Sequence, residues 1–372
     1  MAFFYYMNPF QLRTPWLSKL ALYFQETVLE NDTFVYFVKR SFQALLTLLL
    51  ASFLCFAILS NTPGEYLDSL KLNPEISPER IKALQEQFRL DLPWYDQYRY
   101  WLWQIIKPHW VAIGFISIPL PLCNFGISFG INRPVLDLLW ERVPATLLLS
   151  FSSLFVTWLI ALPLGIIAAV QQNTIVDRVL RFMSYVCQGM PSLIAGLLLL
   201  ILAQHFSPWL PVGDLKSWNF NEFTIDEKIV DILWHLFLPT LALSVTGFAG
   251  LQRITRGQLL EVLRQDYIRT ARSKGLPENR VIYIHALRNA LNPLITLLGF
   301  EFSSLLSGAF VTEYFFNWPG LGRLILQAVM LKDRDLAMAS LMMGALMLIL
   351  GNLFADLLLK LTDPRIQLSQ QD

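Results

Sequence analysis

The chain has 372 residues, of which 55% are hydrophobic and 15% charged, with a formal net charge of +1. Its mean hydropathy of +0.47 is too apolar for an ordinary soluble domain, and several runs exceed the length that argues for a bilayer crossing. The near-neutral balance supplies no global field to attract nucleic acid. The scattered cysteines Cys55, Cys123 and Cys187 have neither metal-ligand spacing nor the look of a disulfide framework, and read as small apolar fillers.

Residues 1–33 begin aromatic but are interrupted by Pro9, Pro15 and polar residues, with no apolar core of signal-peptide length. Their reading stays open between an interfacial aromatic segment and a disordered one. The first span is predicted at Ser41 to Ser60. Lys39 and Arg40 before it place the N-terminus inside, and no small-residue cleavage site follows, so the span stays as an anchor. Residues 61–143 are polar and mixed in charge, which suits a long extracytoplasmic segment. Ser77-Pro78-Glu79 reads as a helix start, with a cap, a proline at the first position and an acid near the positive end. That helix runs toward Leu90 and breaks at Asp91-Leu92-Pro93. A stretch with Trp94, Tyr98, Trp101 and Trp103 follows. Trp110 to Cys123 is apolar but short and proline-broken, so it is not read as a span.

Spans two and three are predicted at Ala145 to Val170 and Phe182 to Gln204, joined by a short inside loop with Asp177, Arg178 and Arg181. Pro163 and Gly165 are expected to bend span two, and Pro191 falls within span three, where neighbouring helices can satisfy the freed backbone groups. Residues 205–235 are acidic, an outside composition, and span four follows at Leu236 to Gln252. Next comes a basic loop, 253–289, in which Arg253, Arg256, Arg264, Arg269, Arg272, Lys274, Arg280 and Arg288 face Glu261, Asp266 and Glu278. A basic loop between apolar spans belongs on the cytoplasmic side. Within it Leu259, Leu263, Tyr267 and Ala271 recur at i, i+4 as one helical stripe. Gly275 and Pro277 end that helix, and Val281, Ile284, Leu287 and Leu291 mark a second. Two short helices therefore meet at a sharp turn, and a rigid object of this kind suits docking to a partner.

Span five is predicted at Ala290 to Val311. Ser303 with Ser307, and Ser304 with Gly308, form small-xxx-small pairs. Glu301 lies mid-span, where an ionisable group rarely faces lipid. It either lines a substrate path, with Ser304 and Ser307 beside it, or is a hydrogen-bonded glutamate packed between helices. Glu313 to Gly322 (EYFFNWPGLG) reads as a rigid turn with an interfacial Trp318. Span six, Leu336 to Leu359, ends with Asp356 and Lys360 at i, i+4. The chain carries no phosphate-binding Gly-Lys loop, no zinc-protease motif and no nucleophile elbow, and His109, His205, His235 and His285 are spread over both sides of the membrane. The fold class is thus all-α, a polytopic membrane protein of six predicted helices.

DYIRTARSKGL, residues 266–276, followed by HALRNALNP, residues 285–293, resembles the coupling loop, or EAA motif, of ABC-importer permeases. The specific likeness is to the dipeptide/oligopeptide/nickel permease subfamily. Gly275 and Ala271 match the general motif, and Leu287 is kept. Arg269 and Thr270 stand where the general motif has Glu and its first Ala, and His285 and Arg288 where it has Ile and Pro. Those departures look like the peptide subfamily. The resemblance extends over roughly Phe34 to Ile366 through Pro63-Gly64, Asn124 to Ser128, Asn132 to Val135, EYFFNWPGLG and Asp363-Pro364-Arg365. It divides the chain into an N-terminal extension (1–33), a first transmembrane helix (34–60), an extracytoplasmic segment (61–143) with an insertion near 104–123, a five-helix permease core (144–366) with coupling loop 253–289, and a tail (367–372).

The resemblance implies a non-catalytic permease subunit of an ATP-driven importer for peptides or a similar small solute, in a bacterial inner membrane with both termini cytoplasmic. Its implied partners are a second permease subunit, two ATP-binding-cassette ATPases carrying the ATP and magnesium, and an extracytoplasmic substrate-binding protein. The implied ATPase-coupling residues are Leu263, Asp266, Tyr267, Arg269, Thr270, Ala271, Arg272, Lys274, Gly275 and Leu276. Among these Leu263 and Tyr267 are docking anchors and Arg269, Arg272 and Lys274 set register. The family more often has an uncharged polar residue at position 301, so Glu301 inherits no role. A mere tether between spans, a secondary transporter or channel without an ATPase, and a membrane-embedded enzyme are the competing readings. The lone Glu301, the absence of a repeat and the lack of a catalytic constellation weigh against the last two.

Overall fold

Helices dominate the architecture, and their order explains where the functional segments sit. The computed structural model describes residues 32–61 and 77–362, apart from positions 88, 90, 108, 114–115, 121–123 and 208. The N-terminal extension up to position 31, Pro63-Gly64 and the Asp363-Pro364-Arg365 tail lie outside the described residues. In chain order come α1 (Asp32–Asn61), α2 (Pro78–Gln87), α3 (Trp94–Ile106), β1 (His109–Ile113), β2 (Ile116–Leu120), α4 (Val135–Val170), α5 (Ile175–Gly189) and α6 (Ser192–Phe206). Then follow α7 (Ile225–Leu263), α8 (Asp266–Ser273), α9 (Leu287–Gly308), α10 (Phe310–Phe315), α11 (Leu321–Met330) and α12 (Arg334–Thr362).

The described residues are mostly helical, as expected, with one short exception. β1 and β2 form an antiparallel hairpin, paired from His109 with Leu120 to Ile113 with Ile116. The two strand sequences, HWVAI and ISIPL, are rich in β-branched and aromatic residues. Two residues, Gly114-Phe115, stand between them in the sequence.

Among the described residues four stretches are long and apolar enough to cross a bilayer: Val38–Asn61, Val135–Val170, Ile225–Leu263 and Arg334–Leu357. The expected third span, Phe182 to Gln204 with Pro191 inside it, is sharply bent. α5 and α6 meet at Met190-Pro191 with a bend of 105°, so the pair is either one broken span or a re-entrant loop. Pro191 lacks the N–H that would continue the α5 ladder, and its ring collides with the preceding turn. α9 coincides with the predicted fifth span and lies outside the set of four.

α4 and α7 form the most extensive helix pair. α7 starts with a capping box between Thr224 and Glu227 and runs for 39 residues, about 58 Å of helix, roughly twice the ~30 Å hydrocarbon layer. It therefore carries the chain well beyond an apolar slab. The seam is built from small side chains. Ser150, Ser153, Thr157, Ala161 and Gly165 of α4 are all buried, and a Cβ on Gly165 would lie 2.7 Å from Thr255 Cβ and 2.9 Å from the Gln252 carbonyl oxygen. Ser244 Oγ donates to Thr240 O at 2.7 Å and reaches Ser153 O across the seam at 3.2 Å. α4 remains helical through Pro163, so Gly165 serves close packing of two backbones, the use small residues have in membrane helix pairs.

At one end of the bundle Val135, Leu138 and Leu139 of α4 pack with Leu321 and Leu324 of α11 and Leu336 of α12. The Trp/Tyr-rich stretch is α3. Its Tyr98 and Trp101 pack against Phe56 of α1 and Met338 of α12, while Trp103 remains exposed. The EYFFNWPGLG corner differs from expectation, because Trp318 is fully buried and donates from Nε1 to Ala145 O at 2.9 Å. Buried Glu313 accepts from Thr146 Oγ1 at 2.7 Å and from the Arg323 N–H at 3.1 Å. A Cβ on Gly320 would fall 2.2 Å from that carboxylate, so a larger residue there would have to displace Glu313 from its buried hydrogen bonds. Asp356 bonds Tyr36 and faces Arg40 of α1 at 3.8 Å, while the Lys360 side chain lies outside the described residues.

The seam generates a paired test. Gly165→Ala places a methyl into Thr255 and the α7 backbone and is expected to destabilise the chain by about 1–3 kcal/mol. Gly344→Ala enters open space in α12 and is expected to be neutral or slightly stabilising. Thermal unfolding of the purified variants in detergent measures both.

Candidate functional site

The charged segment after α7 folds into an elbow. α7 stops at Leu263 because Gln265 is extended, with φ −68° and ψ 150°, and becomes the N-cap of α8. That one residue re-phases the helix. The stripe expected on a single helix, Leu259 to Ala271, is therefore split. Leu259 is fully buried, but Tyr267 is 44% exposed, and the face that α8 turns inward is Ile268 with Ala271. These two pack with Ala169 of α4, Leu259 of α7, Val281 and Ala286, and Ala290 of α9, with Leu263 and Leu276 at the margin. One short helix thus touches the ends of three long ones.

The turn at Gly275 has φ +76°, the left-handed conformation that glycine adopts without strain. The Leu276 N–H bonds Ala271 O at 3.4 Å and the Gly275 N–H bonds Arg272 O at 2.9 Å, the paired pattern of a Schellman motif. Leu276 joins the Ala271 cluster, the apolar contact that often accompanies it. Arg272 closes the turn from outside, donating from Nε to Glu278 Oε2 at 3.2 Å and from Nη2 to Oε1 at 2.6 Å. This hydrogen bonding holds the Glu278 carboxyl below the usual carboxylate range. A depressed carboxylate contributes stability above its unfolded pKa and loses it as pH falls through the folded value. Exposed as it is, the pair contributes little.

The second apolar face also differs from expectation. Val281–Ala286 is a π-helical turn, which shifts register by one residue relative to an α-helix. Val281, Ile282, Ala286 and Ala290 are buried, whereas Ile284 is 55% exposed. Asn289 Nδ2 donates to Tyr267 Oη at 2.7 Å and ties α8 to α9. On the outer face of α8, Asp266, Tyr267, Arg269, Thr270 and Lys274 are exposed, and Arg269 meets Asp266 at 3.3 Å. Of the ten residues expected to couple to an ATPase, Ala271 is inward, Leu263 and Leu276 are half-buried, Arg272 is engaged by the chain's own Glu278, and the rest face outward.

A second feature was missed in the sequence. The expected loop with Asp177, Arg178 and Arg181 is the start of α5, capped by Thr174. Asp177 is fully buried, and Arg256 of α7 grips it through Nε–Oδ1 at 2.7 Å and Nη2–Oδ2 at 2.9 Å. Arg181 Nε adds an ion pair at 3.4 Å and the Asn173 N–H a bond at 2.9 Å. Two turns along α5, Ser184 bonds Gln252, one turn back on α7. α5 is thereby riveted to the part of α7 that leads into the elbow. The only sequence signal was a lone acid among arginines facing a basic loop.

The proposed pathway residues do not converge with the elbow. Glu301 Oε2 accepts from Trp158 Nε1 of α4 at 2.9 Å, Ser304 is exposed, and the Ser307 side chain lies outside the described residues. No group of three or more His, Cys, Asp or Glu that could hold a metal occurs among the described residues.

Residues 161–368 match the family described as "Binding-protein-dependent transport system inner membrane component", and residues 33–150 match its N-terminal counterpart. The oligopeptide transport system permease protein AppB of Bacillus subtilis is 35% identical over 333 residues, 89% of this chain and 99% of that protein. The dipeptide transport system permease protein DppB of Escherichia coli is 33% identical over 330 residues, 84% of this chain and 93% of that protein. A solved inward-facing form of the MetNI methionine ABC transporter aligns with a TM-score of 0.47 at 19% identity, covering 62% of this chain and 98% of that one.

The Asp177 rivet predicts a specific stability pattern. Asp177→Asn leaves Arg256 opposite a neutral amide and is expected to cost on the order of 3 kcal/mol. Adding Arg256→Gln removes the unpaired charge and should restore part of the loss, a coupling read from a double-mutant cycle of thermal unfolding.

Proposed function

The chain belongs to the binding-protein-dependent transport system inner membrane component family, and from that premise we propose that it serves peptide import by docking an ATPase against its α8 elbow. It is a membrane-embedded permease subunit, and its family's chemistry is transport rather than catalysis. The peptide reading follows its relatives, whose names specify oligopeptide and dipeptide transport. α9 serves as a further span beside the four long apolar helices and the α5–α6 pair, giving six. The basic elbow is cytoplasmic by the positive-inside rule, with both termini on the same side. A second permease subunit completes the path, two ATPases carry ATP and magnesium, and an extracytoplasmic binding protein delivers the solute.

The observation that carries the docking reading is the two-faced build of α8. Its inner face, Ile268 and Ala271, is locked into the ends of α4, α7 and α9. Its outer face leaves Tyr267, Arg269 and Thr270 exposed, with exposed Lys274 at its C-cap. A push on α8 is therefore a push on three helices. ATP binding does not create the outward-open state; it closes the ATPases around the elbows and so favours one of two existing arrangements. Leu263 and Leu276 brace the elbow, Arg272 holds its turn through Glu278, and Asp266 and Arg269 set the charge pattern of the docking face. Glu301, with Ser304 and Ser307, lies along the solute path, its carboxylate oriented by Trp158.

Two measurements test this. A cysteine at Lys274 is expected to cross-link to the ATPase subunit in the assembled transporter, and a cysteine at Trp218, on the opposite loop, is not. The reverse pattern would overturn the reading. Gly275→Val strains the left-handed turn by about 1–2 kcal/mol and adds a β-branched side chain there. It is expected to lower peptide uptake at least about tenfold while ATP hydrolysis by the complex persists, and unchanged uptake per ATP would contradict the coupling role.

A further inference from the structure

At the opposite end of the bundle from the elbow, a polar cavity of about 230 Å³ opens between α3, the Asn124 to Ile127 segment and the first turn of α12. Its placement follows from α4, whose N-terminal end packs with α12 while its C-terminal Ala169 packs in the elbow cluster. Arg89, Tyr100, Trp101, Gln104, Arg334 and Asp335 line it. The guanidiniums are held by aromatic rings. Arg89 Cζ lies 3.6 Å from the Tyr100 ring centre and Arg334 Cζ 5.0 Å from that of Phe56, so each charge is positioned before anything binds. Arg334 also donates to Gln97 and faces Asp335 at 3.8 Å.

Trp101 supplies the independent sign of a ligand. It is only 4% exposed, and its Nε1 has no hydrogen-bond partner. A buried indole N–H left unpaired is unusual and needs an acceptor. The cavity is lined by two guanidinium-bearing side chains, the Gln104 amide side chain and the same Trp101. Two guanidiniums among the lining groups favour an anionic ligand over a cationic one. A carboxylate fits the planar donor geometry of guanidinium, and the volume matches a molecule of amino-acid size.

We propose that this cavity binds the carboxylate of a small solute, with Arg89, Arg334 and the Trp101 indole as its donors. The site is separate from the elbow and from Glu301, so it stands apart from the docking reading.

The test uses the assembled transporter in lipid nanodiscs, without its binding protein, and equilibrium dialysis of radiolabelled N-acetylglycine against its neutral isostere N-acetylglycinamide. Saturable binding of the acid and none of the amide is expected. Arg89→Gln changes an exposed side chain, and Trp101→Phe keeps the ring while deleting the N–H. Each should weaken binding about tenfold, with basal ATP hydrolysis unchanged as the check on folding. Absence of saturable binding overturns the proposal, as does equal binding of acid and amide. Binding of the acid that survives both substitutions puts the ligand elsewhere, in the solute path for instance, and overturns it too. Orthophosphate displacing the acid at lower concentration than acetate would show that the site prefers a different anion, and would equally reject the carboxylate assignment.

Discussion

Ile268 and Ala271 decide what an external push on this chain can do. Both lie on the inner face of an eight-residue helix that would be marginal by itself, and both are sealed against residues from α4, α7 and α9. Burying an isoleucine side chain contributes roughly 1.5–3 kcal/mol, a large fraction of what holds so short a segment. α8 therefore gains its rigidity from the bundle, and the bundle gains a handle. The Schellman turn at Gly275 and the Arg272–Glu278 bridge close that handle into a loop of fixed shape. They leave the exposed residues of α8 in one orientation.

The bundle behind the handle is stiff for a different reason. In hydrocarbon no hydrophobic drive holds two apolar helices together, so contact and hydrogen bonding must do it. α4 and α7 meet through serine, threonine, alanine and glycine, which bring the backbones close enough for Gly165 to touch Thr255 and the Gln252 carbonyl. Asp177 adds a charged joint to α5 beside that seam. It ties the α7 end to the helix pair that bends sharply at Pro191. The elbow is thus connected both to continuous helices and to the broken α5–α6 pair, and irregular backbone at membrane depth is tolerated where it is buried in protein or lines a cavity.

Much of this was legible in the sequence, and the failures are instructive. Charge and hydropathy located the elbow, Gly275 announced its turn, and the likeness of residues 266–293 to a coupling loop identified the family. Register was not legible. The extended Gln265 and the π-turn at Val281–Ala286 each re-phase the chain by about one residue, and an i, i+4 pattern has no means of recording that. The Asp177–Arg256 joint was hidden because the partners lie 79 residues apart, and Trp318 read as interfacial because nothing local reveals that Glu313 and Gly320 fold the corner over it. The hairpin, in contrast, was present as two β-rich runs around Gly114-Phe115 and was passed over for a predominantly helical pattern. At the end of the bundle away from the elbow, the orphan Trp101 indole is visible only once α3 is packed on α1.

The central claim is that α8 moves with the helix ends it is packed against. The direct measurement is the distance between spin labels at Arg269→Cys on α8 and Gln172→Cys just beyond α4, in the assembled transporter without nucleotide and during ATP turnover. A narrow distribution with the same mean in both states is predicted, because the Ile268–Ala271 cluster keeps the elbow and the α4 end as one body. A distribution that broadens or shifts when ATP is added would show α8 sliding against the bundle, and would contradict the account.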